Sequence, residues 1–213
     1  GTQNVLEAAR KHNIERFIFA STVYVYSDLG SFYRVSKQAC EKIIEEYHRE
    51  FDLEYTILRY GSLYGPRANE FNFISNALLE ALKNKKIIRR GDGKEIREYV
   101  HVKDAARLSV NIIDEKYKNK HLIITGHEQI RVKDLLLMIK EIFNNNIELE
   151  FGSEEELHHY EITPYSYKPQ VARKITPQTY YDLGQGIMDQ IYDLEMTLNK
   201  SNNKKISLRK RKK

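Results

Sequence analysis

The sequence predicts an α/β fold in which helices cover both faces of a mainly parallel β-sheet. Short apolar segments at 16–20, 54–60 and 121–125 alternate with longer segments whose apolar residues recur at helical spacing. Short, mainly apolar segments of this length are typical of strands that are buried on both faces, as parallel strands are. Strands that alternate with helices along the chain favour a parallel sheet between two helical layers.

The individual elements follow from the two periodicities. A first helix around 5–9 ends near residue 12, a long amphipathic helix covers 35–51, and the glycines and proline of 61–67 predict a loop. Further helices are predicted over 73–83, 103–113 and 132–143, and further strands at 87–88, 98–100 and 147–151. Three prolines interrupt 153–182 before a last helix at 187–198.

The composition is that of an ordinary soluble domain. Hydrophobic residues make up 41% of the 213 residues and charged residues 31%. No segment approaches the roughly 20 apolar residues of a membrane span. A single cysteine, Cys40, excludes an internal disulfide and fits a reducing compartment. We therefore expect a cytoplasmic protein of one domain, or one and a half, without a membrane partner.

Positive charge is concentrated at the C-terminus. The net charge is +5, but seven lysines and arginines follow Asn203, and without them the remaining chain carries −2. Such a tail could contact nucleic acid or an acidic membrane. A disordered, solvated tail over 199–213 is the preferred interpretation. The absence of aromatic residues between the charges argues against a nucleic-acid role.

Tyr33 and Lys37 stand one helical turn apart near the start of the long helix, so their side chains share a face. A free tyrosine is a poor base at neutral pH, but a neighbouring ammonium favours its phenolate. Such a tyrosine can remove a proton from a sugar or alcohol hydroxyl. The alternative is a surface tyrosine and lysine, which is the commoner case for this spacing alone.

Several segments of the chain occur in the order known from one enzyme family. They are the helix at 1–9, the Ser/Thr segment at 21–26, the Tyr-x-x-x-Lys pair at 33–37, the strand and loop at 58–66, and the segment at 91–105. Together they resemble the extended short-chain dehydrogenase/reductase family, the NAD-dependent sugar-nucleotide epimerases and dehydratases. The resemblance covers roughly residues 1–150.

The resemblance implies a fold and a domain division. The fold is a Rossmann-like, doubly wound sheet with a small C-terminal substrate-binding α/β part. Residues 1–65 would be the later portion of the NAD-binding domain. Residues 66–198 would be the substrate-binding region, interleaved with late strands of the sheet, and 199–213 the basic tail. Family members are often dimers, so the resemblance also implies a homodimer.

The resemblance also implies roles by position. The family transfers a hydride between a sugar carbon and the nicotinamide of NAD or NADP. Tyr33 would be the general base and acid, Lys37 would hold the nicotinamide ribose, and Thr22 would hydrogen-bond the reacting oxygen. The further cofactor contacts would be Ala20, Ser21 and Tyr60, and the contacts to the nucleotide sugar would be Ser62 and Arg97.

Some of these roles have plain structural alternatives. Thr22 could simply end a strand, and Arg97 could be an exposed arginine instead of a ligand for the substrate diphosphate. His158 and His159 lack further ligands at metal-binding spacing, so no metal site is predicted.

Three departures from the family pattern bear on function. The chain has no Gly-x-x-Gly-x-x-Gly turn for the pyrophosphate, so we expect the N-terminal strands to be missing and the cofactor site to be incomplete as written. The segment between Thr22 and Tyr33 is about half as long as in the family, which predicts either a more open site or a displaced tyrosine. Val23 and Tyr24 replace the Asp-Glu pair of dehydratases, which argues against water loss.

These observations leave three hypotheses. The first is an epimerase or reductase that acts by hydride transfer on a nucleotide-activated sugar. The alternative is a non-catalytic remnant or binding protein of the same fold. The third, least favoured, is a nucleic-acid or membrane partner that acts through the basic tail.

Overall fold

The computed structural model describes residues 1–153, 162–164 and 173–210. The helices are Thr2–Lys11 (α1), Ser31–Phe51 (α2), Phe73–Asn84 (α3), Val102–Asn111 (α4), Val132–Ile142 (α5) and Leu183–Lys210 (α6). The strands are Phe17–Thr22 (β1), Tyr55–Tyr60 (β2), Ser62–Tyr64 (β3), Lys86–Arg89 (β4), Ile96–His101 (β5), Lys120–Ile124 (β6), Gln129–Arg131 (β7), Glu148–Phe151 (β8) and Arg173–Ile175 (β9). His158 and His159 lie outside the described residues.

A four-stranded parallel sheet in the order β1-β2-β6-β9 carries the first half of the fold. Successive residues of β2 face opposite helical layers. Ile57 packs with residues of α1 and α2, whereas Leu58 packs with residues of α4. The predicted mainly parallel sheet between two helical layers is therefore confirmed.

The start of α2 depends on an unusual pair of backbone conformations. Gly30 and Ser31 both have positive φ values, 97° and 48°. A β-carbon on Gly30 would lie 2.6 Å from the Tyr24 ring, so glycine is needed at this close approach. The helix consequently begins at Ser31, and Tyr33 lies within its first turn.

A second core lies beside smaller sheets. Strands β4 and β8 pair in parallel, and β5 lies between β3 and β7. The sequence predicted a strand at 87–88, a turn, and a second strand at 98–100. In the structure these two strands belong to different sheets. The core between α3, α5 and α6 contains Ile87 of β4, together with Leu78 and Leu136. Strand β4 thus packs on these helices and pairs with β8, whereas β5 pairs with β3 and β7.

The C-terminal helix is longer than predicted. We expected the last helix to end at residue 198 and a disordered tail to follow, but α6 continues to Lys210. Residues 199–210 contain neither glycine nor proline, and lysine, arginine and leucine are good helix formers. The domain limits themselves stay a prediction. In the part of the chain that the structure describes, no helix is sufficiently long and apolar to cross a membrane.

Candidate functional site

Most of the predicted site residues meet at the carboxyl ends of β1 and β2. These two strands run in register, and Thr22 lies opposite Tyr60 at their ends. Ala20 and Ser21 precede Thr22 on β1. In open α/β sheets, ligands bind outside the carboxyl ends of the strands. The fold therefore brings this group to the edge where a ligand is expected.

Lys37 links α2 to this edge. Its Nζ donates a hydrogen bond of 2.8 Å to the carbonyl oxygen of Ala20. The same ammonium lies 4.8 Å from the centre of the Phe19 ring and 5.9 Å from the centre of the Tyr33 ring. The lysine is thus held between the strand end and the tyrosine one turn away, instead of extending freely into solvent.

Tyr33 is open to solvent on one side and contacts a second tyrosine on the other. Its side chain is 53% exposed. The Tyr24 ring meets it edge to face, with 6.3 Å between ring centres and 79° between ring planes. Tyr24 stands where the dehydratases of the resembled family carry an acid. At this position the chain therefore has an aromatic ring in contact with Tyr33 instead of a carboxylate.

Thr22 has a structural role as well as a suitable position. Its buried Oγ1 accepts a 3.3 Å hydrogen bond from the backbone N–H of Tyr24, which caps the 3-10 turn Val23–Tyr26. A hydroxyl that accepts one bond can still donate its own proton. Strand termination and a bond to a reacting oxygen are therefore compatible at this residue.

A buried polar network, which sequence reasoning missed, lies directly below this group. Glu41 and Arg59 form a bidentate pair, with 3.0 Å from Nε to Oε1 and 2.6 Å from Nη2 to Oε2. Ser21 Oγ donates to Glu41 Oε1 at 2.5 Å, and Arg59 Nη1 donates to Tyr26 Oη at 2.5 Å. The network joins α2 to β1, β2 and the 3-10 turn.

Burial and pairing act against each other in this network. Burial works to lower the pKa of Arg59, but the hydrogen bonds and the charge of Glu41 outweigh it, and the pKa is raised. Burial also raises the pKa of Tyr26. Arg59 therefore stays charged, and Tyr26 stays neutral, throughout the physiological pH range.

The sequence carried two signals for this network. Glu41 follows Lys37 by four residues and Tyr33 by eight, which places all three on one face of the helix. Arg59 is a charge within an otherwise apolar strand. The side chain of Ser21 is already bonded to Glu41, so a contact from Ser21 to the cofactor would have to come from its backbone. That contact stays a prediction.

Three predicted residues point elsewhere or lie on another sheet. Tyr60 Oη pairs with Ser109 Oγ of α4 at 2.5 Å, in the helical layer opposite α2. Ser62 lies on β3, opposite Tyr99 of β5. Arg97 is buried on β5, where its Nη1 bonds the Ile96 carbonyl oxygen at 3.0 Å, so it is not an exposed arginine. Ser62 and Arg97, the two residues predicted to contact the substrate, thus both lie on the three-stranded sheet.

A separate pocket lies next to the loop after β6. Its lining includes Tyr64, Tyr99, His101 and Tyr181, and none of the predicted site residues. The buried His101 ring stacks on Tyr181 with 4.6 Å between centres, and its Nδ1 accepts the backbone N–H of Lys103 at 3.4 Å. Burial lowers the pKa of His101. Among the described residues, no three His, Cys, Asp or Glu side chains are grouped as a metal site would need.

Comparison with known proteins gives a consistent result. The NAD dependent epimerase/dehydratase family matches residues 1–125. A putative UDP-glucose 4-epimerase of Methanocaldococcus jannaschii is 34% identical over 157 residues, which are 66% of this chain and 51% of that protein. A dTDP-glucose 4,6-dehydratase of Actinoplanes is 32% identical over 120 residues, 50% of this chain and 38% of that protein.

Solved structures agree on the fold. The UDP-glucuronic acid 4-epimerase of Bacillus cereus, solved as a point mutant with a fluorinated UDP-sugar and NAD, superposes with a TM-score of 0.78 at 21% identity. The superposition covers 92% of this chain and 66% of that one. At such identity the likeness shows the Rossmann fold alone. The chain spans about half the length of the curated relatives it matches. With the family matching more than half of its residues, the chain belongs to the NAD dependent epimerase/dehydratase family.

Proposed function

We propose that this chain provides the catalytic residues of a site in which a hydride moves between a nucleotide-activated sugar and NAD or NADP. One observation carries the proposal: Lys37 is bonded to the Ala20 carbonyl at the carboxyl end of β1, one turn from a half-exposed Tyr33. Family membership supplies the chemistry, because the relatives include sugar-nucleotide epimerases and dehydratases.

The residues at this edge fit the nicotinamide-ribose end of a dinucleotide. The Lys37 ammonium can donate to a ribose hydroxyl, and it lies 5.9 Å from the centre of the Tyr33 ring. Tyr33 then takes a proton from the sugar oxygen and later returns it. Thr22 donates a hydrogen bond to the same oxygen. Bound NAD would accept the hydride and give it back. The sequence contains no glycine-rich turn for the pyrophosphate.

Epimerisation or ketone reduction fits the site better than dehydration. Water loss needs an additional acid and base next to the reacting sugar. Val23 is buried among apolar side chains, and Tyr24 lies against Tyr33. The class to test first is the UDP-sugars, with which two of the structural neighbours were solved. We also propose a cytoplasmic location, supported by the single cysteine, and a homodimer, supported by family resemblance.

Titration of NAD, and then NADP, into the purified full-length protein tests cofactor binding. A ligand that binds only the folded state raises the melting temperature increasingly with its concentration. We expect the melting temperature to rise with ligand concentration in the parent protein and not in Lys37→Ala. The control is Lys42→Ala, a change on the same helix at a lysine paired with Glu45, and it should keep the rise.

Turnover tests the role of the tyrosine. In NAD-loaded full-length protein, Tyr33→Phe should abolish conversion of a UDP-sugar and leave cofactor binding in place. Unchanged turnover in Tyr33→Phe, or the absence of any response to both dinucleotides, would contradict the proposal.

A further inference from the structure

The aromatic ring of Phe19 lies under the ammonium of Lys37, with 4.8 Å from Nζ to the ring centre. An ammonium within about 6 Å of a ring centre is attracted by the negative charge of the ring face. The carbonyl oxygen of Ala20, the next residue of β1, accepts a hydrogen bond from the same nitrogen at 2.8 Å. Two successive residues of one strand therefore hold the ammonium, one through its ring and the other through its backbone.

The Phe19 ring is itself fixed by the core between β1, α1 and α2. It is only 9% exposed and packs in one cluster with Leu6, Ile44 and Ile57, which are almost completely buried. Phe17 stacks beside it, with 6.5 Å between ring centres and 18° between ring planes. Because protein cores are close-packed, a ring surrounded in this way keeps its position. Phe19 thus gives the ammonium a rigid support.

A lysine needs such a support more than most side chains do. Its long, flexible stem lets a free ammonium sample many positions, and ordering it on binding costs entropy. The second ring beside Lys37, that of Tyr33, is half-exposed and lies 5.9 Å from the ammonium. Phe19 is both nearer and more firmly packed. A side chain already held in its binding position loses less entropy when the ligand arrives.

We propose that Phe19 is a positioning residue, whose ring holds the Lys37 ammonium where it meets the nicotinamide ribose and thereby strengthens the binding of NAD or NADP. This inference rests on the proposed function, in which Lys37 contacts that ribose. Phe19 acts through Lys37 and not through a contact of its own with the cofactor.

The alternative is that Phe19 serves only to fill the core. In that role the shape and volume of the side chain matter, and its charge distribution does not. The attraction of an ammonium depends on the electron density of the ring face. Fluorine atoms on the ring withdraw that density and change the shape of the side chain little. A fluorinated phenylalanine therefore separates the two roles, whereas a leucine would change both.

Replacement of Phe19 by a trifluorinated phenylalanine in the full-length protein tests the proposal. We expect the Kd for NAD or NADP, measured by isothermal titration calorimetry, to rise about two- to tenfold, as the loss of one cation–π contact implies. The control is the same replacement at Phe17, a ring of the same strand and the same core. It should leave the Kd within about twofold of the parent value.

The position of Lys37 can also be measured without any cofactor. NMR relaxation of the Lys37 Cε methylene gives an order parameter, which falls as a group becomes more mobile. The Lys37 signal is identified by its loss in Lys37→Arg. We expect a lower order parameter in the fluorinated Phe19 variant and no change in the fluorinated Phe17 variant. A role in core packing alone would leave this order parameter unchanged in both.

A Kd for both dinucleotides that the fluorinated Phe19 ring leaves unchanged would overturn the proposal. Equal rises in Kd for the Phe19 and Phe17 replacements would also overturn it, because the effect would then belong to the core as a whole. If the parent protein binds neither dinucleotide, the proposed function fails, and the order parameter still decides whether the ring holds the lysine. Failure of the one is thus distinguishable from failure of the other.

Discussion

Glu41 and Arg59 show how a single buried ion pair organises the neighbourhood of the site. Their side chains are only 5% and 4% exposed, so both charges have lost most of their hydration. Such a pair is tolerated where further hydrogen bonds satisfy its remaining groups, and Ser21 and Tyr26 provide them here. The pair therefore contributes to the placement of α2 rather than to net stability.

Removal of one partner should cost much more than removal of both. Glu41→Leu leaves a buried guanidinium without its carboxylate, and we expect a loss of about 3–5 kcal/mol in the free energy of unfolding. The double variant Glu41→Leu, Arg59→Met replaces the pair by apolar volume and should be clearly more stable than the single one. Urea denaturation measures both.

An exposed pair is the control for this experiment. Glu46→Leu disrupts the contact of Glu46 with Arg49 on the surface of the same helix, and it should change stability by less than about 1 kcal/mol. A single Glu41 variant as stable as this control would show that Arg59 finds another way to be solvated.

His101 should make stability depend on pH. Burial holds its pKa below the ordinary value; Asp104 opposes this shift, and Lys103 and Arg107 add to it. Below about pH 6.5 the unfolded chain therefore binds more protons than the folded protein. The contribution of His101 is complete above that pH and is lost as the pH falls toward the folded pKa.

The variant His101→Asn isolates this contribution. Asparagine can still accept the Lys103 N–H as a helix cap but does not titrate. We expect the loss of unfolding free energy between about pH 7 and pH 5, followed by chemical denaturation, to be smaller in the variant than in the parent. Equal slopes would show that other groups, such as the partly buried His121, account for the acid sensitivity.

The sequence predicts the contacts of a side chain well where the contacting residue is close along the chain. Tyr33 and Lys37 were singled out by their spacing together with the family resemblance, and the helix and the strand end next to them lie where we expected, although the roles of the two residues stay a prediction. Ser21 and Tyr60 lie at or next to the carboxyl ends of their strands, but their hydroxyl partners, Glu41 and Ser109, come from other elements. Only the three-dimensional packing of those elements decides such contacts.

Gly186 of helix α6 lies against the Tyr64 ring, which explains why this position is a glycine. Glycine inside a helix is less favourable than alanine by about 1 kcal/mol. A methyl group on Gly186 would, however, lie 2.8 Å from ring carbons of Tyr64, a fully packed residue of the core. The glycine allows α6 to approach the end of β3 closely.

Gly186→Ala should therefore destabilise the protein despite the better helix propensity of alanine. We expect a net loss of about 1–3 kcal/mol from overpacking, measured by thermal or urea denaturation. Gly184→Ala is the matched control, because a methyl there meets only the Asp182 carboxylate, at 3.1 Å. Equal stability of the two variants would mean that the Tyr64 ring moves aside without cost.

Prediction of elements succeeded in proportion to their length. The helices of ten residues or more begin or end within a few residues of the expected positions, apart from the longer α6. Strands β3, β7 and β9 were missed because three residues are too few to show a period. Strands β4 and β5 were recognised, yet their partners are distant in sequence, and local pattern carries no information on such pairing.

At the scale of the whole molecule, β1 is an outer strand of the four-stranded sheet among the described residues. Its Ile18 is 39% exposed. Outer strands offer unpaired backbone groups to other chains, and exposed apolar residues on them promote association. This edge adjoins the site, because β1 also carries Ala20 and Thr22.

Ile18→Lys should raise the concentration at which the protein remains unaggregated, since a lysine on an outer strand opposes pairing with another chain. The free energy of unfolding should change by no more than about 0.5 kcal/mol. Static light scattering against concentration is the measurement. Ile113→Lys, which is exposed but outside the sheet, is the comparison, and an equal improvement there would assign the effect to net charge.

The alignment of Tyr33, Lys37 and Glu41 along one side of α2 has a mechanical consequence. Each successive residue of a helix is rotated by about 100°, so one inserted residue between Lys37 and Glu41 would turn the face that carries Tyr33 and Lys37 away from the buried Glu41. Tyr33 and Lys37 thus have a single rotational setting about the helix axis, and the bidentate contact of Glu41 with Arg59 fixes that setting from up to two turns away.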